Sequence, residues 1–318
     1  MDIVITCHTE LGFFQNSIFI ADKRGVDGVT RGVSNLQKIS EKYGAKISFA
    51  VMPDVIKYFP QTLDHEIGLH IHPGHEKFNI QGCEYFAGDL YLKEHCYQSC
   101  SSSVLKDYPY KEQLDMIKTG KDIIYDNFGI NPTSFVAGRW SINNETVKAL
   151  IQCKITHDCS ASAHSKAEHY DWSRIPRICM PYHPSRLDYQ TKGDLPLIIL
   201  PISQMYRVGN VNPEVISSVG VSWLKACFSE YYTSNAPVFH ICLHSPSMTN
   251  PAIISAFDVL LKFISRHKNI HFKQASEIIP YHNGNIKSNL IPYFFGLNFT
   301  LIKTFVEMHI KNEVSGIK

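Results

Sequence analysis

The chain of 318 residues is 44% hydrophobic and 19% charged, and 31 Lys and Arg against 29 Asp and Glu leave a formal net charge of +2. Such a composition can bury a sizeable core, and no long basic run offers the phosphate-neutralising surface of a nucleic-acid binder. No apolar stretch approaches the roughly 18 uninterrupted residues of a transmembrane segment, and with strand pattern from residue 2 no secretory leader is expected. The nine cysteines are scattered without a Cys-x-x-Cys pair, and Cys7, Cys153 and Cys242 fall inside apolar patterns, so a reducing, cytoplasmic setting is expected.

In chain order, Asp2 to Cys7 reads as a short apolar strand that runs at once into His8-Thr9-Glu10. Residues two apart on an extended chain share a side, so His8 and Glu10 point the same way. Residues 32–43 carry Val33, Leu36, Ile39 and Tyr43 at helical spacing, and 46–51 read as the next strand. Ile67 to Ile71 is the end of a buried strand, and Pro73-Gly74 turns the backbone beyond it. His70, His72 and His75 cluster there, and three imidazoles at one strand end could fill most of a tetrahedral zinc shell. The competing reading has His70 satisfied in the core and the other two solvated, since the chain holds 16 histidines.

Residues 112–128 read as a longer helix, with Leu114, Ile117, Ile124 and Phe128 on one face. The strand Thr133 to Ala137 ends in Gly138-Arg139-Trp140, and residues 143–151 follow as a helix with Glu145 in its first turn, where a negative charge suits the dipole. Leu197 to Leu200 is a strand closed by Pro201, and a helix over 212–231 opens at Asn212-Pro213. Val238 to Leu243 is another strand, running into His244-Ser245-Pro246 before a helix over 251–265 and a strand at 270–272. Alternating strands and helices imply a parallel sheet or barrel, whose C-terminal strand ends converge on the active face. Four strands thus deliver His8 and Glu10, His70 and His72, Arg139 and Trp140, and His244 to one end. The aperiodic stretches 76–110 and 160–196 are expected as lids or substrate walls. The apolar tail 289–311 reads first as a helix covering the barrel, with a dimer contact or a membrane-surface anchor as the competing readings.

These segments, in this order, resemble the polysaccharide deacetylase superfamily (the NodB-homology, or carbohydrate esterase family 4, enzymes) over roughly residues 2–280. Thr6-Cys7-His8-Thr9-Glu10 stands where the family has Thr-Phe-Asp-Asp-Gly, and Gly68-Leu69-His70 with His72 and His75 matches its histidine motif. Phe135-Val136-Ala137-Gly138-Arg139-Trp140-Ser141 resembles the third motif, Asp158 the acid of the fourth, and Leu243-His244-Ser245 the fifth. The chain departs from the pattern in the spacing of the histidine motif, five residues from His70 to His75 or two to His72 where the family commonly has four, and at two linked places. His8 replaces the aspartate base, and Val136 replaces the arginine that orients that aspartate. A neutral imidazole has no carboxylate charge for a guanidinium to hold.

The resemblance implies a distorted (β/α)7-type barrel over 1–280 with a C-terminal helical extension over 281–318. It implies a metal-dependent N-deacetylase acting on an N-acylated sugar or glycan precursor in surface-polysaccharide biosynthesis. Glu10, His70 and one of His72 or His75 would hold a divalent metal, Zn2+ by the donor set. His8 would serve as base, since an unperturbed imidazole titrates near 6.5. His244 would protonate the leaving amine, with Asp158 orienting it. Arg139, Trp140, Trp172 and Tyr182 would form a sugar platform, simple burial being the competing reading for the tryptophans. Acyl or formyl transfer to an amino sugar, and sugar binding without catalysis, are the alternatives. No nucleic-acid partner or transmembrane segment is expected, and a homo-oligomer is compatible with the sequence.

Overall fold

The computed structural model of the chain describes residues 1–15, 18–20, 25–60, 64–74, 76–80, 83–281 and 286–315. Its central strands are Asp2–Thr9 (β1), Ser48–Val51 (β2), Glu66–Ile71 (β3), Ser134–Ala137 (β4), His157–Asp158 (β5), Ile198–Ile199 (β6), Val238–His244 (β7) and His271–Lys273 (β8). They form one sheet in the order β6-β5-β4-β3-β2-β1-β7, with every neighbouring pair parallel. β7 runs beside β1 along seven positions, from Asp2 opposite Val238 to His8 opposite His244. The other edge of β1 is shared: β8 pairs with Asp2–Val4 and β2 with Thr6–Thr9. The gap between β6 and β7 is bridged by irregular chain, with Ser203 N–H donating to the His240 carbonyl and Cys242 N–H to that of Val211. The result is the curled sheet of a distorted (β/α)7 barrel.

The helices around it are Val33–Glu41 (α1), Tyr110–Phe128 (α2), Asn144–Gln152 (α3), Ile216–Thr233 (α4), Pro251–Ile264 (α5), Ile291–Gly296 (α6) and Phe299–Ser315 (α7), joined by a shorter turn of helix at Leu90–His95. Local chemistry sets their ends. Asn143 and Thr146 form a reciprocal capping box at the start of α3, and Gly129 closes α2 in the left-handed conformation that favours glycine.

Alternation along the strands sorts the core into two layers. Ile3, Ile5 and Cys7 of β1, Phe49 and Val51 of β2, Leu69 and Ile71 of β3 and Phe135 of β4 pack outward in the large cluster that includes the helices. Val4, Ala50, Val136, Cys159, Leu200 and Val238 meet inside the barrel in a smaller one. A methyl group on Gly68 would stand 2.4 Å from the Ser134 hydroxyl, so glycine there lets β3 and β4 approach. The residues left on the inner face above this apolar floor are polar, which places the site at the C-terminal ends of the strands.

Two stretches differ from the loops expected of them. Residues 76–110 contain a hairpin, Glu76–Ile80 with Cys83–Ala87, as well as the Leu90–His95 helix. The 160–196 stretch is irregular but pinned by single bridges such as Tyr182 to Ile199. Among the described residues no helix is long and apolar enough to cross a membrane, and none of the described cysteines is in a disulfide.

Candidate functional site

Register decides which side chains meet. His8 and His244 are direct cross-strand partners on β1 and β7, and their rings lie 4.6 Å apart edge to face. His70 reaches the same space from β3, with its ring 4.9 Å from that of His8. His72, two residues on, still points inward, and its ring stands perpendicular to that of His70 at 5.2 Å. Gly138 makes room for it, since a methyl group there would come within 2.5 Å of the His72 ring. Glu10 enters from just beyond β1, its backbone N–H 3.2 Å from the Ser245 hydroxyl.

Glu10, His70 and His72 are buried, and their ligand atoms lie within 4.8 Å of one another. His70 Nδ1 lies 2.9 Å from the Val136 carbonyl, which can only accept, so Nδ1 carries the hydrogen. Nε2 of the same ring lies 3.0 Å from Glu10 Oε1 and His72 Nε2 lies 3.9 Å from it. A neutral imidazole would set a lone pair against a carboxylate there, so a proton or a cation has to lie between them. Two ligands about 2.0 Å from one tetrahedral zinc ion stand roughly 3.3 Å apart, close to the spacing seen. The backbone carbonyl behind His70 is the outer partner that metal-binding histidines usually have. A carboxylate and two imidazoles therefore fit a divalent metal with one position left open.

The electrostatics separate the remaining groups. Burial drives His8 far below the ordinary histidine value, helped by the neighbouring charges of His244 and His70. Its Nε2 is buried without a hydrogen-bond partner. Burial also takes His72 down, to about 3. Burial alone would raise Glu10, yet the hydrogen bond from His70 and the charges of His244, His70 and His72 hold its carboxyl well below the usual range. His244 goes the other way: against the cost of burial, the Glu214 carboxylate lifts it to about 9. His8 is thus neutral and His244 cationic at neutral pH, although their rings touch.

Glu214 is the functional candidate that sequence reading missed. Its carboxylate lies 3.0 and 3.1 Å from His244 Nδ1, accepts the His244 backbone N–H at 2.6 Å, and accepts from the Ser247 hydroxyl and the Asn212 amide. In sequence it stands in Asn212-Pro213-Glu214, where an acid in a first helical turn is explained by the helix itself. Nothing in the spacing ties it to a histidine 30 residues on.

Asp158, expected to orient His244, sits elsewhere. One carboxylate oxygen takes the Ser160 hydroxyl at 2.5 Å and the other is buried without a partner. The neighbouring Cys159 belongs to the barrel interior, so alternation turns Asp158 to the outer face. Burial raises its carboxyl to about 7. The sugar platform also loses two members. Trp172 is 0% and Tyr182 2% exposed, too deep to meet a sugar. Trp172 instead donates its indole N–H to the Trp140 carbonyl at 2.9 Å, and the Tyr182 hydroxyl donates to the Tyr189 carbonyl. Arg139 and Trp140 stay at the site. Both hold positive φ, 54° and 53°, an uncommon pair of left-handed non-glycine residues of the sort found at ligand sites. Trp140 lies 6.2 Å from the His8 ring, 6.4 Å from His244 and 5.9 Å from Tyr170, and the Arg139 charge is close enough to oppose protonation of His72. Val136 is buried in the interior cluster, while its carbonyl holds His70. His75 lies outside the described residues.

No protein-family model matches the chain, and no curated protein matches it in sequence. Solved structures do. A Mycobacterium smegmatis protein described as a polysaccharide deacetylase superposes with a TM-score of 0.53 at 13% identity, over 87% of each chain. The Puue allantoinase gives 0.54 at 13% identity over 87% of this chain and 88% of its own, and a Pseudomonas aeruginosa PAO1 protein, again described as a polysaccharide deacetylase, gives 0.52 at 13% over the same shares. At this identity the likeness is one of fold.

Proposed function

We propose that this chain, which has the fold of polysaccharide deacetylases, is a metal-dependent amide hydrolase that removes an N-acyl group from a sugar, with His8 in place of the usual aspartate base. One observation carries the reading: a Glu10–His70–His72 cluster suited to a metal faces two touching imidazoles, His8 and His244, held in opposite protonation states. Neighbouring titratable groups whose environments push them apart are the mark of an acid and a base.

Glu10, His70 and His72 would hold the ion, zinc by their chemistry. When bound, such a metal polarises an acyl carbonyl and acidifies water. His8, neutral and with Nε2 uncommitted, takes the proton from the attacking water. His244 keeps Nδ1 on Glu214 and presents Nε2 to the leaving amine, which it protonates. Glu214 is a positioning residue: it fixes the ring and keeps it charged. Trp140 offers an aromatic wall, and Arg139 a cation for a carboxylate or hydroxyl of the sugar. A role in the cytoplasmic stages of surface-polysaccharide synthesis would give such an enzyme its N-acylated sugar.

The test is metal analysis paired with acetate release from N-acetylated sugars. Purified protein should carry roughly one zinc per chain, and His70→Ala should lose most of it together with activity, because a lost ligand in a three-residue site is rarely replaced. Full metal retention by that variant, or a zinc-loaded wild type inert toward every N-acyl sugar tried, would overturn the proposal.

A further inference from the structure

The tail of the chain does not cover the barrel in the simple sense. α6 and α7 are fastened to α4 on one side: Tyr293 and Leu301 are buried, Gly296 sits against Ala226, and Phe305 meets Trp223. Asn298, between the two helices, donates to the Val219 carbonyl and the Ser222 hydroxyl and accepts the Leu301 N–H. The opposite side is apolar too. Ile291, Phe294 and Phe295 on α6 and Phe299, Ile302 and Val306 on α7 follow helical spacing, and the three phenylalanines are 75%, 85% and 82% exposed. An apolar set of this size held outward by a buried, hydrogen-bonded base marks an interaction surface.

We infer that this face lies in the headgroup layer of an anionic lipid bilayer. Two observations favour lipid over a protein partner. The segment 286–306 contains no Asp or Glu, while Lys287 and Lys303 are exposed; Lys303 stands one helical turn from Phe299 on α7 and pairs with Glu307 at 3.8 Å. Lysines flanking an apolar face complement a negative surface. The phenylalanines also stand clear of the surface. A bilayer receives protruding rings without shape complementarity, whereas a second protein needs a matching groove. The helices are short and do not span, so the binding is peripheral and reversible. This inference is independent of the deacetylase reading.

Flotation of the full chain with vesicles tests it. Phosphatidylcholine vesicles containing about a quarter phosphatidylglycerol should carry the protein upward, and pure phosphatidylcholine vesicles far less. Phe295→Ser with Phe299→Ser should weaken binding at least tenfold with an unchanged melting temperature, since both rings are already in water. Lys287→Glu with Lys303→Glu should weaken it at low salt and matter less at 0.5 M, as screened charges do. Absence of binding to anionic vesicles overturns the inference. So does a concentration-dependent dimer that disappears in the Phe295→Ser, Phe299→Ser variant without any vesicle binding, which would make the face a contact between copies.

Discussion

Replacing Glu214 by Gln tests the acid half of the site most directly. The carboxylate meets His244 at the ring and at the backbone N–H, and lifts the imidazole from the ordinary 6.5 to about 9. A change of that size corresponds to roughly 3 kcal/mol in favour of the imidazolium, at about 1.4 kcal/mol per unit. The side chains are 18% and 21% exposed, so solvent screens them only partly. Glutamine keeps the shape and an acceptor but removes the charge. Burial is then opposed only by the charge of Glu10, and the His244 midpoint should fall well below about 9. The sign follows: a raised histidine value adds stability that is complete below about 6.5 and fades as pH rises through about 9. Histidine NMR titration of the metal-free protein reads this directly. In the hydrolase assay the alkaline limb should move down with it in Glu214→Gln. A His244 midpoint that stays above 8 in the variant would refute the assignment, and so would an equal shift in Asp158→Asn.

Asp158→Asn should leave activity per folded molecule unchanged while altering stability. The folded carboxyl, raised to about 7, binds its proton more tightly than the unfolded one, so wild-type stability should fall between about pH 4 and 7, by at most about 4 kcal/mol in total. Urea denaturation at pH 5 and pH 8 should show that slope in the wild type and not in the variant. Gly138→Ala should push the His72 ring out of place and lower zinc affinity at least tenfold, read by competition with a chelating dye, while circular dichroism stays native; unchanged affinity would remove His72 from the shell. Trp172→Phe should cost about 1 kcal/mol of stability for the lost indole hydrogen bond and raise KM more than it lowers kcat, because it loosens the turn that carries Trp140. A kcat effect alone would instead place Trp172 in the chemistry.

The sequence by itself determined the alternation of strands and helices and the end of the barrel on which the chemistry gathers. Asp2 to Cys7, Ile67 to Ile71, Thr133 to Ala137 and Val238 to Leu243 are short apolar runs, each halted by polar residues, and that pattern is local. It also placed His8, Glu10, His70, Arg139, Trp140 and His244 at those halts. His72 was legible as a same-side neighbour of His70, but not the room its ring takes, which depends on the missing side chain of Gly138 across the β3–β4 pair. Tertiary structure alone decided which groups became partners. Asp158 stands next to a strand in sequence as a catalytic acid would, yet strand alternation turns it away from His244. Glu214 reads as an ordinary helix-opening acid, yet the loop after β6 carries it beneath β7. Trp172 and Tyr182 read as part of a sugar platform, with burial the competing reading for the tryptophan, and single bridges fold that irregular stretch back so that both are buried. In each case the deciding contact joins residues far apart in sequence, and local periodicity carries no record of it.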